Sequence, residues 1–226
     1  MEDNQSKTYL QQLIEEHKPE YIIGMDEVGW GAIAGPLVIA CAVYKPDYKN
    51  PKIRDSKTYS SHNARLKAFD LVQDTAVYVA YQEASPGNLA VFGAGPMLQN
   101  SYLILAQRAI AHYPNSLVVI DGAHTIKGLE HKQVCLAKAD TYVTAVSAAS
   151  IAAKVSRDRT MIKLGEKYPE YEWFANKGYP TPQHIEAIKK VGVSEHHRRN
   201  VETVVELEKK HGIYEERIGR EACEEA

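Results

Sequence analysis

Cysteine is scarce in this chain, with three in 226 residues, Cys41, Cys135 and Cys223. They form no CxxC pair and no spacing that suits a metal site. That excludes a disulfide framework and sets the expectation of a reducing, cytoplasmic setting. No apolar run approaches the roughly 20 residues that cross a bilayer, so no membrane partner is expected. The opening residues, MEDNQSKTYL, are polar and acidic, unlike a secretory leader. Three catalytic signatures are missing as well: GxxxxGK(S/T), GxSxG and HExxH. Nucleotide cradling by a P-loop, a serine nucleophile elbow and a helical zinc site therefore have no foothold.

An overall excess of positive charge is also absent, since the formal net charge is −2. The distribution is less even than the total. Residues 127–199 hold 13 Lys/Arg against 8 Asp/Glu, and the remainder holds 14 against 21. A basic C-terminal half suits a phosphate-backbone partner, and a solvated charged face is the commoner cause of the same asymmetry.

With 44% hydrophobic and 25% charged residues, a sizeable core is within reach and one domain is expected. Within it, residues 1–20 read as an N-terminal helix, 21–165 as the core and 166–226 as a helical C-terminal region. Leu10, Leu13 and Ile14 share one face of a helix over residues 7–17, which Pro19 ends. Residues 21–44 read as strand, glycine-rich turn, strand. A helix follows at 62–74, then an alternating strand at 75–82. Residues 88–113 are apolar at helical spacing after an interruption at Gly93, Gly95 and Pro96. Short strands are expected at 116–121 and 132–136, and an alanine-rich helix at 143–164. This order predicts an α/β fold with a mixed central sheet flanked by helices.

Two adjacent acids, Asp26 and Glu27, end the first apolar run. Adjacent acid pairs arise about four times by chance at this composition, so adjacency means little; the apolar residues Tyr21, Ile22, Ile23 and Met25 before them matter more. A half-buried carboxylate is costly unless a cation or hydrogen bonds compensate it. Asp121 repeats the pattern after Leu117 to Ile120, and Asp140 stands between a strand and a helix. Strand neighbours face opposite ways. Asp26 and Glu27 therefore converge only if the strand breaks between them or Glu27 reaches round its end. Several acids at strand ends suit a hard divalent cation and phosphoryl-transfer chemistry. Asp121 opening a turn and Asp140 capping a helix are the structural alternatives.

The blocks DEVGWGAIAGP, DSK at 55–57, VVIDG, AKAD, SAASIAAKVSRDR, KGYPT at 177–181 and HRR at 197–199 stand in this order. Together they resemble the ribonuclease HII (type 2 ribonuclease H) family over residues 21 to about 200. The resemblance implies a ribonuclease H-like fold and cleavage of RNA in RNA–DNA hybrids and 5′ of single ribonucleotides in duplex DNA. It implies Mg²⁺ or Mn²⁺ and four catalytic, metal-binding acids at Asp26, Glu27, Asp121 and Asp140. Two cations about 4 Å apart can serve both the attacking water and the leaving oxygen, so no histidine base is required. The ribose 2′-hydroxyl is the handle that separates RNA from DNA at one nucleotide. By motif position it falls to Gly29, Trp30 and Gly31 and to Tyr179. Lys57 and Lys154, with Ser147 and Ser150 nearby, are candidates for phosphate contacts. For these the alternatives are a solvated lysine, a packing serine and a packing tyrosine. Arg157 and Arg159 flank Asp158 and suggest structural ion pairs, while His196 to Arg199 suggest a cationic surface or a helix cap.

Two residues depart from the family pattern. The usual Gly-Arg-Gly after the acid pair is here Gly29-Trp30-Gly31, and Ala139 stands where Gly is frequent. Losing the Arg removes a charge-assisted hydrogen bond of roughly 1.5–3 kcal/mol. Two rival readings follow, activity confined to continuous hybrids as in ribonuclease HIII, or a catalytically weak duplex-binding protein. A monomer is expected, and the C-terminal GREACEEA shows no recognisable clamp-docking peptide.

Overall fold

The computed structural model describes residues 2–214; Cys223 and the GREACEEA segment lie outside them. Five strands form one mixed sheet in the order β3-β2-β1-β4-β5. They are β1 (Tyr21–Val28), β2 (Leu37–Tyr44), β3 (Tyr78–Ala84), β4 (Ser116–Asp121) and β5 (Gln133–Leu136). β1 is antiparallel to β2 and parallel to β4, which is parallel to β5. The central strands β1, β2 and β4 are almost wholly buried along their length. This is why they read as continuous apolar runs rather than alternating ones.

The α-helices among the described residues are α1 (Glu2–His17), α2 (His62–Thr75), α3 (Pro86–Phe92), α4 (Ala94–His112), α5 (Thr144–Lys167), α6 (Trp173–Asn176), α7 (Pro182–Val191) and α8 (Glu202–His211). The expected α/β class with a mixed sheet is present. Some boundaries moved. Thr75, expected to open a strand, instead closes α2. Its hydroxyl bonds the Leu71 carbonyl at 2.7 Å and meets the Tyr44 hydroxyl at 3.0 Å, which keeps the turn helical. The apolar stretch at 88–113, expected to be interrupted at Gly93, Gly95 and Pro96, is two helices broken at Gly93 (φ 82°) alone. Gly95 and Pro96 fall in the first turn of α4, where a missing N–H costs nothing. Among the described residues no single helix is long and apolar enough to cross a membrane.

The described chain divides into two compact units, residues 2–28, 38–83 and 98–156, and residues 29–37, 84–97 and 157–214. In the first unit Ile22, Val38, Ala40, Leu117 and Val119 meet the small face of α5, Ala145, Ala148, Ala149 and Ala152. The small residues let backbones approach closely. A Cβ on Gly24 would lie 2.1 Å from the Ala145 carbonyl carbon. The second unit has its own core, Ile33, Ala34, Met161, Tyr171, Trp173, Ile188 and Val204, with Tyr171 and Trp173 stacked at 4.7 Å.

Candidate active site

The acids are brought together by sheet register. Met25 of β1 lies opposite Ile120 of the parallel β4, so the next residues, Asp26 and Asp121, stand side by side on one face where that pairing ends. Asp140 arrives from a 3-10 turn, Ala139–Thr141, entered through Lys138 in the left-handed conformation (φ 57°, ψ 32°). That turn is tied to the site twice. The Ala139 N–H donates to Asp121 Oδ1 at 2.7 Å, and the Ser147 hydroxyl donates to the Asp140 carbonyl at 2.6 Å. Ligand oxygens of Asp26, Asp121 and Asp140 all lie within 4.8 Å of one another.

Burial, with this crowding added to it, raises the three clustered aspartates and Glu27. Burial holds Asp26 well above the usual carboxylate range, and the charges of Glu27 and Asp121 add to it. The Glu27 N–H, 2.8 Å from Asp26 Oδ1, opposes this, as does the Ser150 hydroxyl. Glu27 is raised by burial and by Asp121, with the Tyr102 hydrogen bond opposing. Asp121 is raised by burial, against the Ala139 N–H and Lys57. Burial, then Asp121 and Asp55, lift Asp140 to about 6. Burial works against the charge of Lys57, yet Asp140, Asp55, Asp26 and Asp121 together raise its pKa. One lysine beside so many carboxylates leaves a cation-deficient site.

β1 does not break between Asp26 and Glu27, for Glu27 still pairs with Ile39. The two side chains therefore take opposite faces, and Glu27 is not one of the three clustered acids. Its Oε2 instead accepts a hydrogen bond from the hydroxyl of Tyr102 on α4. Sequence reading missed Tyr102, and it missed Asp55. Asp55 lies close enough to Asp140 to help raise its carboxyl, and it caps the turn carrying Lys57, accepting its N–H at 2.9 Å. The DSK block held the signal for Asp55; a tyrosine at core spacing in an apolar helix offered none.

Ser147, Ser150 and Lys154, the other first-unit candidates, lie along α5. Ser150 of α5 donates to Ser56 Oγ at 3.0 Å and lies near enough to Asp26 to favour its charged form. Ser147 is buried, with its hydroxyl turned to the main chain of Asp140. Lys154, one turn beyond Ser150, is half-buried.

In the second unit Gly29 has φ 95°, and a Cβ there would lie 2.4 Å from Arg157 Nε. Trp30 is 54% exposed, and Gly31 faces open space. The loop is joined to the KGY block, since the Ile33 and Ala34 N–H groups both donate to the Gly178 carbonyl (2.9 and 3.1 Å). Tyr179, half-buried, has its ring 5.2 Å from the Arg157 guanidinium.

Arg157 donates to the carbonyls of Pro36, Lys177 and Ala34. One expectation is corrected here. His197 and Arg198, read as a cationic surface or a cap, are both 2% exposed. Arg198 donates to the carbonyls of Gly35 (2.9 Å), Gly29 (2.6 Å) and Trp30 (3.3 Å). Main-chain acceptors leave no side-chain signature, so neither role was visible in the sequence.

Comparison with known proteins gives a consistent answer. The sequence profile described as Ribonuclease HII matches residues 23–204. The ribonuclease HII of Endomicrobium trichonymphae is 35% identical over 179 residues, 78% of this chain and 83% of that protein. The ribonuclease H2 structure from Pyrococcus horikoshii OT3 superposes with a TM-score of 0.70 at 27% identity, covering 84% of this chain and 98% of that one. The ribonuclease HII of Archaeoglobus fulgidus, solved in a complex with PCNA, gives 0.67 at 25% identity over 82% and 96%. The chain belongs to the ribonuclease HII family.

Proposed function

We propose that this chain is an endoribonuclease of RNA–DNA hybrids that also incises on the 5′ side of single ribonucleotides embedded in duplex DNA, leaving a 3′-hydroxyl and a 5′-phosphate. The observation that carries it is the convergence of Asp26, Asp121 and Asp140 within 4.8 Å. The donor set fits hard divalent cations: it is all oxygen, and burial and mutual repulsion raise every member in the absence of a cation. Asp26, Asp121, Asp140 and Glu27 would hold Mg²⁺ or Mn²⁺. When bound, a pair of such ions supplies the charge that activates water and stabilises the leaving oxygen in phosphodiester hydrolysis.

The remaining roles fall to the chain itself. The Glu27 N–H orients Asp26, while Ala139 and Ser147 fix the turn that presents Asp140. Lys57 relieves repulsion among the acids and, with Lys154, offers positive charge to substrate phosphates. Gly29, Gly31 and Tyr179 are the proposed readers of the ribose 2′-hydroxyl. Supporting this, the loop and the tyrosine block share hydrogen bonds through Gly178. Trp30, exposed at the loop's centre, offers a stacking surface of about 1–3 kcal/mol per base. It is no cationic donor, and this keeps a second reading in play, cleavage of continuous hybrids alone or weak catalysis with duplex binding. The chain is proposed to act as a monomer.

The test is to map cuts on a duplex with one ribonucleotide and on a continuous hybrid, each with Mg²⁺ and with Mn²⁺. Incision 5′ of the single ribonucleotide is expected. Cutting of the continuous hybrid alone would favour the ribonuclease HIII-like reading. Binding without cutting of either would favour the duplex-binding one.

A further inference from the structure

Tyr102 stands 3% exposed on α4, where its neighbours toward the core are Leu105, Ala106 and Ala109. Phenylalanine would fill the same volume without burying a hydroxyl. A buried hydroxyl is tolerated only when it is hydrogen-bonded, and this one donates to Glu27 Oε2. A phenol ordinarily titrates at about 10. It stays protonated and acts as a donor.

The consequence lies in what remains of Glu27. Glutamate has one more rotatable bond than aspartate, and β1 turns Glu27 away from the face of Asp26 and Asp121. The strand contributes the Glu27 N–H, which favours the charged carboxylate. The phenol donates to Oε2 and so ties the end of the side chain to α4. We infer that Tyr102 is the positioning residue that orients Glu27 toward a divalent cation distinct from one held by the three clustered aspartates. This rests on the reading above that these acids bind divalent cations. Outer partners of this kind typically change metal affinity by 10–100-fold when removed.

Manganese uptake by the whole chain, followed by calorimetry without substrate, separates the possibilities. Tyr102→Phe is expected to raise the Mn²⁺ concentration for half-saturation of the weaker site about tenfold, at the lower end of that range. In a Glu27→Gln background, the same replacement is expected to change Mn²⁺ affinity no further. Melting of each variant in EDTA sets the temperature range in which it is folded, and all titrations are read inside it. A role in packing alone would lower the EDTA melting temperature and leave Mn²⁺ affinity at the wild-type value, overturning the inference. An equal loss of affinity with and without Glu27 would also overturn it. Failure of the wild-type chain to take up Mn²⁺ would instead overturn the metal reading itself.

Discussion

A carboxylate that is 6% exposed beside two others is expensive in the metal-free chain. Asp26 is raised first by burial and then by Glu27 and Asp121, so at neutral pH its charged form is held against a cost. Asp26→Asn removes that charge, and the amide oxygen can still accept the Glu27 N–H. The variant is expected to lose cleavage by several orders of magnitude. In EDTA it should melt higher by about 2–4 °C, corresponding to roughly 1 kcal/mol at this chain length. Added Mg²⁺ should then stabilise the wild type more than the variant. A variant that cuts normally, or one that melts lower in EDTA, would contradict the placement of Asp26 in a repulsive cation site. The identity of such residues was legible because an acid closing an apolar run is locally costly. Glu27's true neighbour was not, since Tyr102 is 75 residues away and has the spacing of any core residue.

At the scale of elements, the glycine loop is shaped by what lies beneath it. Arg157 and Arg198 together take the carbonyls of Gly29, Trp30, Ala34, Gly35 and Pro36. With those oxygens engaged, the loop conformation is fixed by donors from distant blocks. Lysine cannot reproduce this, because its single ammonium lacks the planar fork that spans several acceptors. Arg198→Lys is expected to cost about 3 kcal/mol, roughly 6–12 °C in melting temperature. It should also raise KM for a single-ribonucleotide duplex more than for a continuous hybrid. Equal melting temperatures for the two proteins would show that Arg198 does not brace the loop. Elements with a strong local composition, the alanine-rich α5 and the apolar run of β4, could be read directly from the chain. The end of α2 could not, because Thr75 has the β-branched profile of a strand and is kept helical by contacts to Leu71 and Tyr44. The pairing of β1 with β4 was hidden for a related reason, since register is a non-local property that no segment declares.

Across the whole molecule, the two units carry titrating groups of opposite sign. In the second unit His184 Nδ1 donates to the Tyr179 carbonyl at 2.9 Å, and its Nε2 accepts from Trp173 Nε1 at 2.9 Å. His197 Nδ1 accepts the Ser194 N–H at 2.9 Å, and its Nε2 lies 3.2 Å from His184 Nε2. Both rings are satisfied as neutral imidazoles. Burial lowers His184 to about 4, against the Tyr179 carbonyl. Burial and then the neighbouring His184, with lesser contributions from His196 and Arg199, lower His197 to about 3. Unfolded histidine titrates near 6.5, so below that pH the unfolded chain takes up protons the folded one refuses. The stability from these rings is present above pH 6.5 and is lost as pH falls toward 4, roughly 3 kcal/mol for His184 alone. In the first unit the sign reverses. Asp140 is raised from 3.8 to about 6, so its contribution is present at low pH and is lost as pH rises through 6. Without metal, moving from pH 7 to pH 5 should weaken the second unit and strengthen the first. Hydrogen exchange in EDTA, corrected for the intrinsic pH dependence, is the measurement. Amides of α7 should lose protection at pH 5, while those of β1 and β4 should gain it. With Mg²⁺ present the gain in β1 and β4 should vanish, because protons and cations compete for the same carboxylates. Both units shifting the same way in EDTA would show that the buried histidines or the clustered acids do not govern the pH response of their own unit.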